Sequence, residues 1–273
     1  MDSLDIRFAE PADAGQIADL LATSSRPDVA QLLICGCKGA SEYIRMQLAA
    51  GVRNAESAYF VAQAPRGIIG AVELRRRSNR LFLNHIAVHH NYRGQRVGAV
   101  LFLAAVRMSG VNSGQIGLDL FHDNVRALHW YSRLGFATMT SAEFLELAPP
   151  SAADEEPAYA AGLPQANLCQ ERFGFSRFDL ITGKGTFSAG RIGETWFRLT
   201  DVAAIGSPSV FAALKLLDPA RRIFAVVPAS SAPRAQVVRL LATVHRMEAD
   251  ISEVLTHLKS RHSVQPFFVT TPA

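Results

Sequence analysis

The sequence predicts an α+β fold with a central mixed, mostly antiparallel sheet flanked by helices, followed by a second, smaller α/β domain. Segments that alternate apolar and polar residues, as strands do, are interspersed with segments whose apolar residues recur every three or four positions, as in helices. Three strand-like segments, residues 57–63, 67–75 and 80–88, follow one another with short breaks, which predicts an antiparallel meander. A stretch rich in proline and small residues, 148–164, interrupts every periodicity and predicts a linker.

The first part of the chain has the predicted order strand, helices, three-strand meander, helix, strand, helix, strand. Residues 4–8 alternate like a strand, and Pro11 then opens a helix with Ile17, Leu20 and Leu21 on one face. The other predicted elements are a helix at about 41–52, a helix from Gly94 onward, a strand at 115–121, a helix at 124–134 and a strand at 136–147.

The second part is predicted in less detail. The segment 234–260 has apolar residues at helical spacing and predicts one long amphipathic helix. Residues 183–186 (GKGT) lack the spacing of a phosphate-binding loop and predict a hairpin turn. The remaining predictions are strands at 173–182, 194–199, 222–227 and 264–270 and a helix at 209–217. The predicted organisation is a domain at 1–147, a linker at 148–164 and a C-terminal α/β domain at 165–273.

Composition and charge narrow the classes of function. The chain is 49% hydrophobic and has a formal net charge of only +4, without a long run of like charges, so nucleic acid is not an expected partner. No apolar run approaches the roughly 20 residues that span a bilayer, and residues 1–8 do not resemble a secretory signal. Cys35, Cys37 and Cys169 lack the spacing of a zinc site. We therefore expect a cytoplasmic protein without a metal or a membrane partner, and a homodimer is compatible with the sequence.

The stretch HHNYRGQRVGA, residues 89–99, lies between a predicted strand and a predicted helix. The first N–H groups of a helix have no internal acceptor and lie at the positive end of its dipole, so they attract phosphate. Gly94 and Gly98 would let phosphate oxygens approach the main chain, and Arg93 and Arg96 would add positive charge. The alternative is an ordinary helical turn with two surface arginines. A dinucleotide-binding fold is disfavoured because the spacing G-x-G-x-x-G is absent.

Two segments resemble the GCN5-related N-acetyltransferase (GNAT) family. IAVHHNYRGQRVGAVLF is similar to that family's acetyl-CoA signature, R/Q-x-x-G-x-G/A at the start of a long helix, but has Arg96 in place of the middle glycine. NVRALHWYSRLGF, residues 124–136, is similar to the family's N-x-x-A-x-x-x-Y-x-x-x-G-F segment. The resemblance covers residues 1–147. A right-handed backbone at position 96 would tolerate arginine, whereas a left-handed one favours glycine.

The resemblance implies acetyl-CoA as the acyl donor and direct attack of a primary amine on its thioester. It also implies a set of residues that bind the donor: Ile86, Ala87, Val88, Arg93, Gly94, Gln95, Arg96, Val97, Gly98, Ala99, Asn124, Ala127 and Tyr131.

Each implied role has a structural alternative. Tyr131 corresponds to the family's tyrosine near the sulfur, where a phenol can donate a proton to the departing thiolate; alternatively it only packs. Asn124 corresponds to a residue that contacts the donor, and it would also serve as a helix N-cap. A backbone N–H near Ala87 or Val88 is expected to polarise the carbonyl.

The general base is less well defined. His85 is our choice because the ordinary pKa of histidine suits the task, although a structural histidine is an equal alternative. The competitors are Glu73, Asn84, Asp119 and His122.

The predicted function is therefore acetyl-CoA-dependent transfer of an acetyl group to a primary amine of a small molecule or peptide. A non-catalytic acyl-CoA-binding regulatory protein is the alternative. For residues 165–273 we expect a degenerate second domain of the same family, and a dimerisation or acceptor-gating module is the alternative.

Overall fold

The computed structural model of the chain describes residues 4–51, 56–77, 80–150, 158–231 and 236–260. The strands of these residues are β1 Asp5–Phe8, β2 Ser57–Ala64, β3 Gly67–Arg77, β4 Arg80–Val88, β5 Gln115–Phe121, β6 Ala137–Leu147, β7 Tyr159–Ala161, β8 Phe175–Thr182, β9 Gly185–Ile192, β10 Trp196–Leu199, β11 Arg222–Pro228 and β12 Val237–Asp250. The helices are α1 Ala14–Ala22, α2 Pro27–Ala30, α3 Ala40–Ala49, α4 Val97–Met108, α5 Val125–Ser132, α6 Leu163–Phe173, α7 Val202–Ile205, α8 Pro208–Leu217 and α9 Ile251–Ser260.

The chain forms two compact units, and each takes in residues from both sides of the predicted linker. Among the described residues, the first unit contains 4–25, 41–139 and 245–260, and the second contains 26–40 and 140–231 with 236–244. The segment 26–40 groups with the second unit because the N–H of Gly39 donates to the carbonyl of Phe173 at 3.1 Å and Lys38 pairs with Glu194 at 3.1 Å.

The first unit has a mixed sheet in the order β1-β2-β3-β4-β5-β12. The predicted meander is present: β2 pairs with β3, and β3 with β4, in antiparallel register. The pair β4–β5 is parallel, because α4 connects them. Apolar residues of α4, including Leu101, Phe102 and Ala105, are fully buried against the sheet. This unit has the predicted α+β architecture.

The predicted long helix at 234–260 is wrong in its first half. Residues 237–250 form β12, and only 251–260 form a helix, α9. Val237, Leu241 and Val244 have helical spacing, but Met247 and Ala249 are buried at the two-residue spacing of a strand. Here the free edge of β5 decides the conformation, since pairing beside it satisfies the backbone groups of both strands.

The N-terminus of α9 is set by Asp250. Its Oδ1 accepts hydrogen bonds from the N–H of Ser252 at 2.8 Å and of Glu253 at 3.4 Å, which is an N-cap arrangement. A hydrogen bond from the Ser252 hydroxyl, together with these backbone bonds, lowers the pKa of the Asp250 carboxyl. Asp250 followed three residues later by Glu253 is a helix-start signal within the segment that we predicted as continuous helix.

The strands of the second unit follow the order β6-β11-β10-β9-β8-β7. Its pairs are antiparallel except β10–β11, which is parallel and connected through α8. The turn at 183–184 joins β8 and β9, so the predicted hairpin turn is confirmed. The sequence analysis did not predict α6 or β9, and the predicted strand at 264–270 lies outside the described residues.

One side of these strands packs on an apolar core of its own. Phe197 and Leu199 of β10 are fully buried there with Phe211 and Leu214 of α8. Across the ranges that the structure describes, the longest and most apolar helices fall short of what is needed to span a membrane.

Candidate functional site

Strands β4 and β5 separate before either of them ends. They pair only where Leu81, Phe82 and Leu83 lie beside Ile116, Gly117 and Leu118. Beyond this pairing β4 continues to Val88 and β5 to Phe121, so a gap opens between the two strands. Backbone groups that face such a gap have lost their neighbouring strand and can bind a ligand instead.

The end of β4 points backbone groups into this gap. The N–H of His89 donates to the carbonyl of Ile69 on β3 at 2.8 Å. Because backbone groups alternate sides along a strand, the N–H of Val88 points away from β3 and toward the gap. The carbonyl oxygen of Val88 accepts a hydrogen bond from Arg93 Nε at 3.0 Å. This arrangement places a backbone donor where we expect the carbonyl of a thioester to be polarised.

The loop before α4 presents a row of free donors. The N–H groups of residues 94–98 donate to no acceptor in the ranges that the structure describes, whereas Ala99 and Val100 both donate to the carbonyl of Arg96. The φ angle is +80° at Gly94 and +66° at Arg96, so left-handed residues alternate with Gln95. Such alternation directs successive N–H groups toward one anion. The dipole of the twelve-residue helix α4 adds positive potential there.

The backbone conformation at Arg96 differs from the prediction that the helix begins near Gly94. Helix α4 begins at Val97 rather than near Gly94, and Arg96 is its N-cap in the left-handed region. Among the described residues, Arg96 alone combines a positive φ with a side chain. A left-handed conformation places Cβ close to the following carbonyl and costs an L-residue roughly 1–2 kcal/mol. The position therefore has a geometry that favours glycine, which is the residue that the acetyl-CoA signature has there.

Gly98 brings the start of α4 close to the end of β4. A Cβ built on Gly98 would lie 3.4 Å from Val88 Cγ2 and 3.9 Å from Ile86 Cδ1, which are ordinary contacts. Neither the space within the protein nor the φ angle therefore requires glycine at this position.

Asn124 caps helix α5, which is the structural role that the sequence predicts for it beside contact with the donor. Its Oδ1 accepts a hydrogen bond from the N–H of Ala127 at 3.2 Å. The Nδ2 group of the same amide can still donate, because a carboxamide has both an acceptor and two donors.

Tyr131 is buried, with 4% of its surface exposed, and packs edge-on against Phe136 with ring centroids 5.4 Å apart. Its hydroxyl has no hydrogen-bond partner among the described residues. Burial raises the pKa of this phenol, so the group keeps its proton at neutral pH.

A buried carboxylate lies on the face of the sheet opposite α4. Glu73 of β3 is 1% exposed and accepts hydrogen bonds from Ser57 Oγ at 2.5 Å, Arg75 Nε at 2.9 Å and Asn84 Nδ2 at 2.7 Å. Burial alone would raise the pKa of Glu73, but the charge that His85 carries when protonated, the charge of Arg75 and the hydrogen bonds outweigh burial and lower it. The carboxylate is therefore charged at neutral pH.

His85 lies beside this carboxylate, with Nε2 3.8 Å from Glu73 Oε2 and part of the imidazole exposed. Burial lowers the pKa of His85, and the negative charge of Glu73 only partly offsets that effect. The imidazole is thus neutral at neutral pH, which is the state that accepts a proton.

Three of the candidate bases, Glu73, Asn84 and His85, therefore form one cluster. The other two lie on β5 and beyond its end: Asp119 pairs with Arg246 at 2.9 Å, and His122 Nδ1 is 2.8 Å from His245 Nε2. The sequence analysis missed Ser57 and Arg75 as partners of Glu73. A signal was present, because a carboxylate within the apolar run IIGAVEL needs partners from the neighbouring strands.

Comparison with known proteins gives a family match for part of the chain. A family model described as "Acetyltransferase (GNAT) domain" matches residues 55–138. This part of the chain is a GNAT domain. The matched residues include the end of β4, the loop before α4, and Tyr131. A search of curated protein sequences finds no match.

Two solved structures resemble nearly the whole chain. A tandem GNAT protein from the clavulanic acid biosynthesis pathway has a TM-score of 0.65 and 10% identity, over 91% of this chain and 98% of its own. A GCN5-related N-acetyltransferase from Sphaerobacter thermophilus has a TM-score of 0.61 and 16% identity, over 92% of this chain and 96% of its own. At these identities the likeness shows a shared fold. The predicted fold class is therefore confirmed. The GNAT domain match lies within the first of the two predicted domains.

Proposed function

We propose that the protein is an acetyl-CoA-dependent N-acetyltransferase that transfers an acetyl group to a primary amine of a small molecule or peptide. The observation that carries this proposal is the row of free N–H groups at residues 94–98, which lies beside the end of β4 where it has parted from β5. A strand gap that leads to an anion-binding helix start fits an extended thioester with a pyrophosphate group. When bound, acetyl-CoA supplies the activated acyl group.

The residues of the site have distinct proposed roles. The N–H groups of residues 94–98 and the guanidinium of Arg93 hold the pyrophosphate, and Asn124 Nδ2 donates to the pantetheine arm. The N–H of Val88 polarises the thioester carbonyl. We propose that acetyl-CoA also contacts Ile86, Ala87, Ala99 and Ala127, as the family resemblance implies.

Proton transfer uses two side chains. His85 accepts a proton from the ammonium group, directly or through water, and the charge of Glu73 stabilises the imidazolium that results. Tyr131 keeps its proton at neutral pH and donates it to the departing thiolate.

Calorimetric titration with acetyl-CoA tests the binding step. Gly98→Glu places a carboxylate at the start of α4 and should abolish binding, because it repels the pyrophosphate. Gly98→Ala is the matched control, since its methyl group makes only ordinary contacts and should leave affinity nearly unchanged. Absence of binding by the native protein, or equal binding by Gly98→Glu, would refute the proposal.

Arg96 favours a second candidate, a regulatory protein that binds acyl-CoA without turnover. Its long side chain occupies a left-handed position within the donor row, where the acetyl-CoA signature has glycine. Release of free thiol from acetyl-CoA, measured across a panel of amines, separates the two candidates. Turnover that is lost in Tyr131→Phe supports the enzyme, whereas tight binding without thiol release supports the regulator.

We also propose that the second unit is a degenerate GNAT-like domain. Both units have a hairpin, a strand antiparallel to it, a helix and a parallel strand: β2-β3-β4-α4-β5 and β8-β9-β10-α8-β11. In the second unit, Pro208 opens α8 and removes an N–H donor, and Asp201 places a carboxylate at the N-terminus of α7, the short helix before α8. These features disfavour phosphate, so acetyl-CoA is assigned to the first unit. We keep the cytoplasm as the proposed location, which Cys35, Cys37 and Cys169 support because they are thiols and not disulfides.

A further inference from the structure

The guanidinium of Arg75 is only partly used by its contact with Glu73. Its Nε donates to Glu73 Oε1 at 2.9 Å, while Nη1 and Nη2 donate to no acceptor in the parts of the chain that the structure describes. The Arg75 side chain is 40% exposed and that of His85 is 33% exposed, whereas Glu73 is covered. Solvent therefore reaches a guanidinium at one oxygen of the buried carboxylate and an imidazole near the other.

A β-bulge brings this cluster to the gap between β4 and β5. In register, Glu73 lies opposite His85, and the next residue of β3 lies opposite Leu83. Asn84 is thus the extra residue of the bulge, which re-aims side chains so that Asn84 and His85 both approach Glu73. Leu83 is the last residue of β4 that pairs with β5. His85 therefore lies where the gap between the two strands opens.

Arg75 lies on the same face of β3 as Glu73, because residues two apart on a strand share a face. Helix α3 lies over this face: Tyr59, which is opposite Glu73 in register, donates from its hydroxyl to Gln47 Oε1 of α3 at 3.1 Å. An acceptor on this face approaches the gap from the side opposite α4, whose N-terminus is assigned to the pyrophosphate.

The charges of the cluster fit an acceptor that is a zwitterion. A carboxylate on Arg75 and an ammonium group beside Glu73 would leave each charge with a partner of opposite sign. This balance is kept when the ammonium passes a proton to His85, because the imidazolium then faces Glu73. A phosphate monoester carries nearly twice the negative charge of a carboxylate and would upset the balance.

We infer that the acceptor is a free amino acid, whose carboxylate binds Nη1 and Nη2 of Arg75 and whose α-amino group lies beside His85 and receives the acetyl group. Guanidinium suits this role because its planar donors match the two oxygens of a carboxylate. The inference rests on the proposed acetyltransferase function and selects one class from its small-molecule and peptide acceptors.

The protons and bonds of this reaction balance. The α-nitrogen forms a bond to the acetyl carbon as the bond from that carbon to sulfur breaks. Of the two protons that the ammonium loses, one leaves through His85 to solvent, and the other replaces the proton that Tyr131 gives to the thiolate. The products are an N-acetyl amino acid and free coenzyme A.

Thiol release from acetyl-CoA tests the inference, with the standard amino acids and the α-amides of the same amino acids as acceptors. The amide keeps the amine and the side chain but has no negative charge, as in a peptide N-terminus. The best amino acid should exceed its own amide in kcat/KM by at least about tenfold, because it makes charge-assisted hydrogen bonds to Arg75. O-Phosphoethanolamine, an amine with a phosphate group, should be a poorer acceptor than that amino acid.

Variants locate the recognition of the carboxylate. In Arg75→Met, the ratio of kcat/KM for the amino acid to that for its amide should fall at least about tenfold. The ratio separates recognition from structure, because disturbance of Glu73 would slow both acceptors alike. Arg75→Lys keeps the charge but not the planar donors and should give an intermediate ratio, which decides the test if Arg75→Met is inactive with both acceptors.

Arg76→Met is the matched control. Arg76 is exposed and lies on the other face of the same strand, so its removal should leave the ratio at the native value.

The outcomes distinguish this inference from the proposed function. Thiol release as fast with amides as with amino acids, or faster with O-phosphoethanolamine, would overturn the inference but keep acetyl transfer. An unchanged ratio in Arg75→Met would also overturn it, because another group would then hold the carboxylate. Absence of thiol release with every acceptor would refute the proposed function itself, and the inference with it.

Discussion

Arg96 shows how a single backbone angle connects stability with function. Its φ of +66° completes the alternation that directs the N–H groups of residues 94–98 toward one point. An arginine adopts that angle only at an energetic cost, which the rest of the loop must offset. The cost is tolerated while its side chain adds positive charge next to the proposed pyrophosphate.

We expect Arg96→Gly to raise the free energy of unfolding by about 1 kcal/mol, because glycine adopts the left-handed angle without strain. Urea denaturation monitored by circular dichroism measures this change. Arg93→Gly is the control: φ is −67° at that position, so glycine should lower stability there. A loss of stability in Arg96→Gly would mean that contacts of the arginine side chain outweigh the backbone strain.

The pH dependence of turnover tests His85. Burial lowers its pKa, so the neutral base predominates at neutral pH, and kcat/KM should fall only as pH drops through a value below the ordinary 6.5 of histidine. His85→Gln should lose this acidic limb and reduce kcat/KM by about 100-fold or more. Tyr131→Phe should be slow but keep the limb. An unchanged acidic limb in His85→Gln would assign it to another group.

The same lowered pKa makes a separate contribution to stability. Because the unfolded chain binds the proton of His85 more readily than the folded chain does, this contribution is complete above about pH 6.5. It is lost as pH falls from there through the folded pKa.

Sequence reasoning proposed residues for the site but not their geometry. Gly98 and Asn124 were predicted from motifs, and Glu73 and His85 from residue chemistry. The handedness at Arg96 and the gap beyond Leu83 depend on how distant strands pair, and local patterns do not contain that information.

Among the elements, α5 illustrates a helix end fixed by one residue. The N–H of Gly135 donates to Ser132 at 3.2 Å, and that of Phe136 to Tyr131 at 3.1 Å. The φ of Gly135 is +94°, which terminates the helix and turns the chain into β6. This turn holds the segment that carries Tyr131.

Gly135→Ala should therefore lower the free energy of unfolding by about 1–2 kcal/mol from backbone strain alone. The added Cβ would also lie 2.8 Å from the carboxyl carbon of Glu253, so that side chain must move. Gly15→Ala is the opposite case, since no atom lies within 4 Å of its added Cβ and alanine favours the helix. Denaturant melts of both variants should shift in opposite directions, and a stabilised Gly135→Ala would contradict this account.

The helices and strands of the first unit were predicted closely because the apolar periodicity of each segment matches the conformation that it adopts. In β12 the apolar periodicity and the conformation disagree. Val237, Leu241 and Val244 have the spacing of a helix, whereas the open edge of β5 can pair only with a strand. A local pattern cannot reveal a partner that lies far away in the sequence.

At the scale of the whole molecule, the first unit is completed by residues from the other end of the described chain. β12 lies beside β5, with the N–H of Ile251 bonded to the carbonyl of Gly114 at 2.9 Å. Met247, Val254 and Leu258 are buried in the core of this unit. The GNAT domain match at 55–138 therefore does not by itself delimit a folding unit.

A fragment of residues 1–150 should for this reason fail to fold cooperatively, since it exposes the edge of β5 and the apolar surface that α9 covers. Circular dichroism melts and acetyl-CoA titration of the fragment and the full chain measure this. The full chain with Met247→Ala should unfold in one transition with a lower Tm and retain binding. A fragment with a sharp transition and native affinity would show that β12 and α9 are dispensable.

The placement of β12 also imposes an order on synthesis. As the ribosome releases the chain, residues 4–139 emerge first but must wait with an unpaired strand edge until residues 245–260 follow. Translation proceeds at roughly 5–20 residues per second, so this interval lasts several seconds or more, long enough for a chaperone to bind. The beginning of this chain can become native only after the end of the protein's described segment has been made.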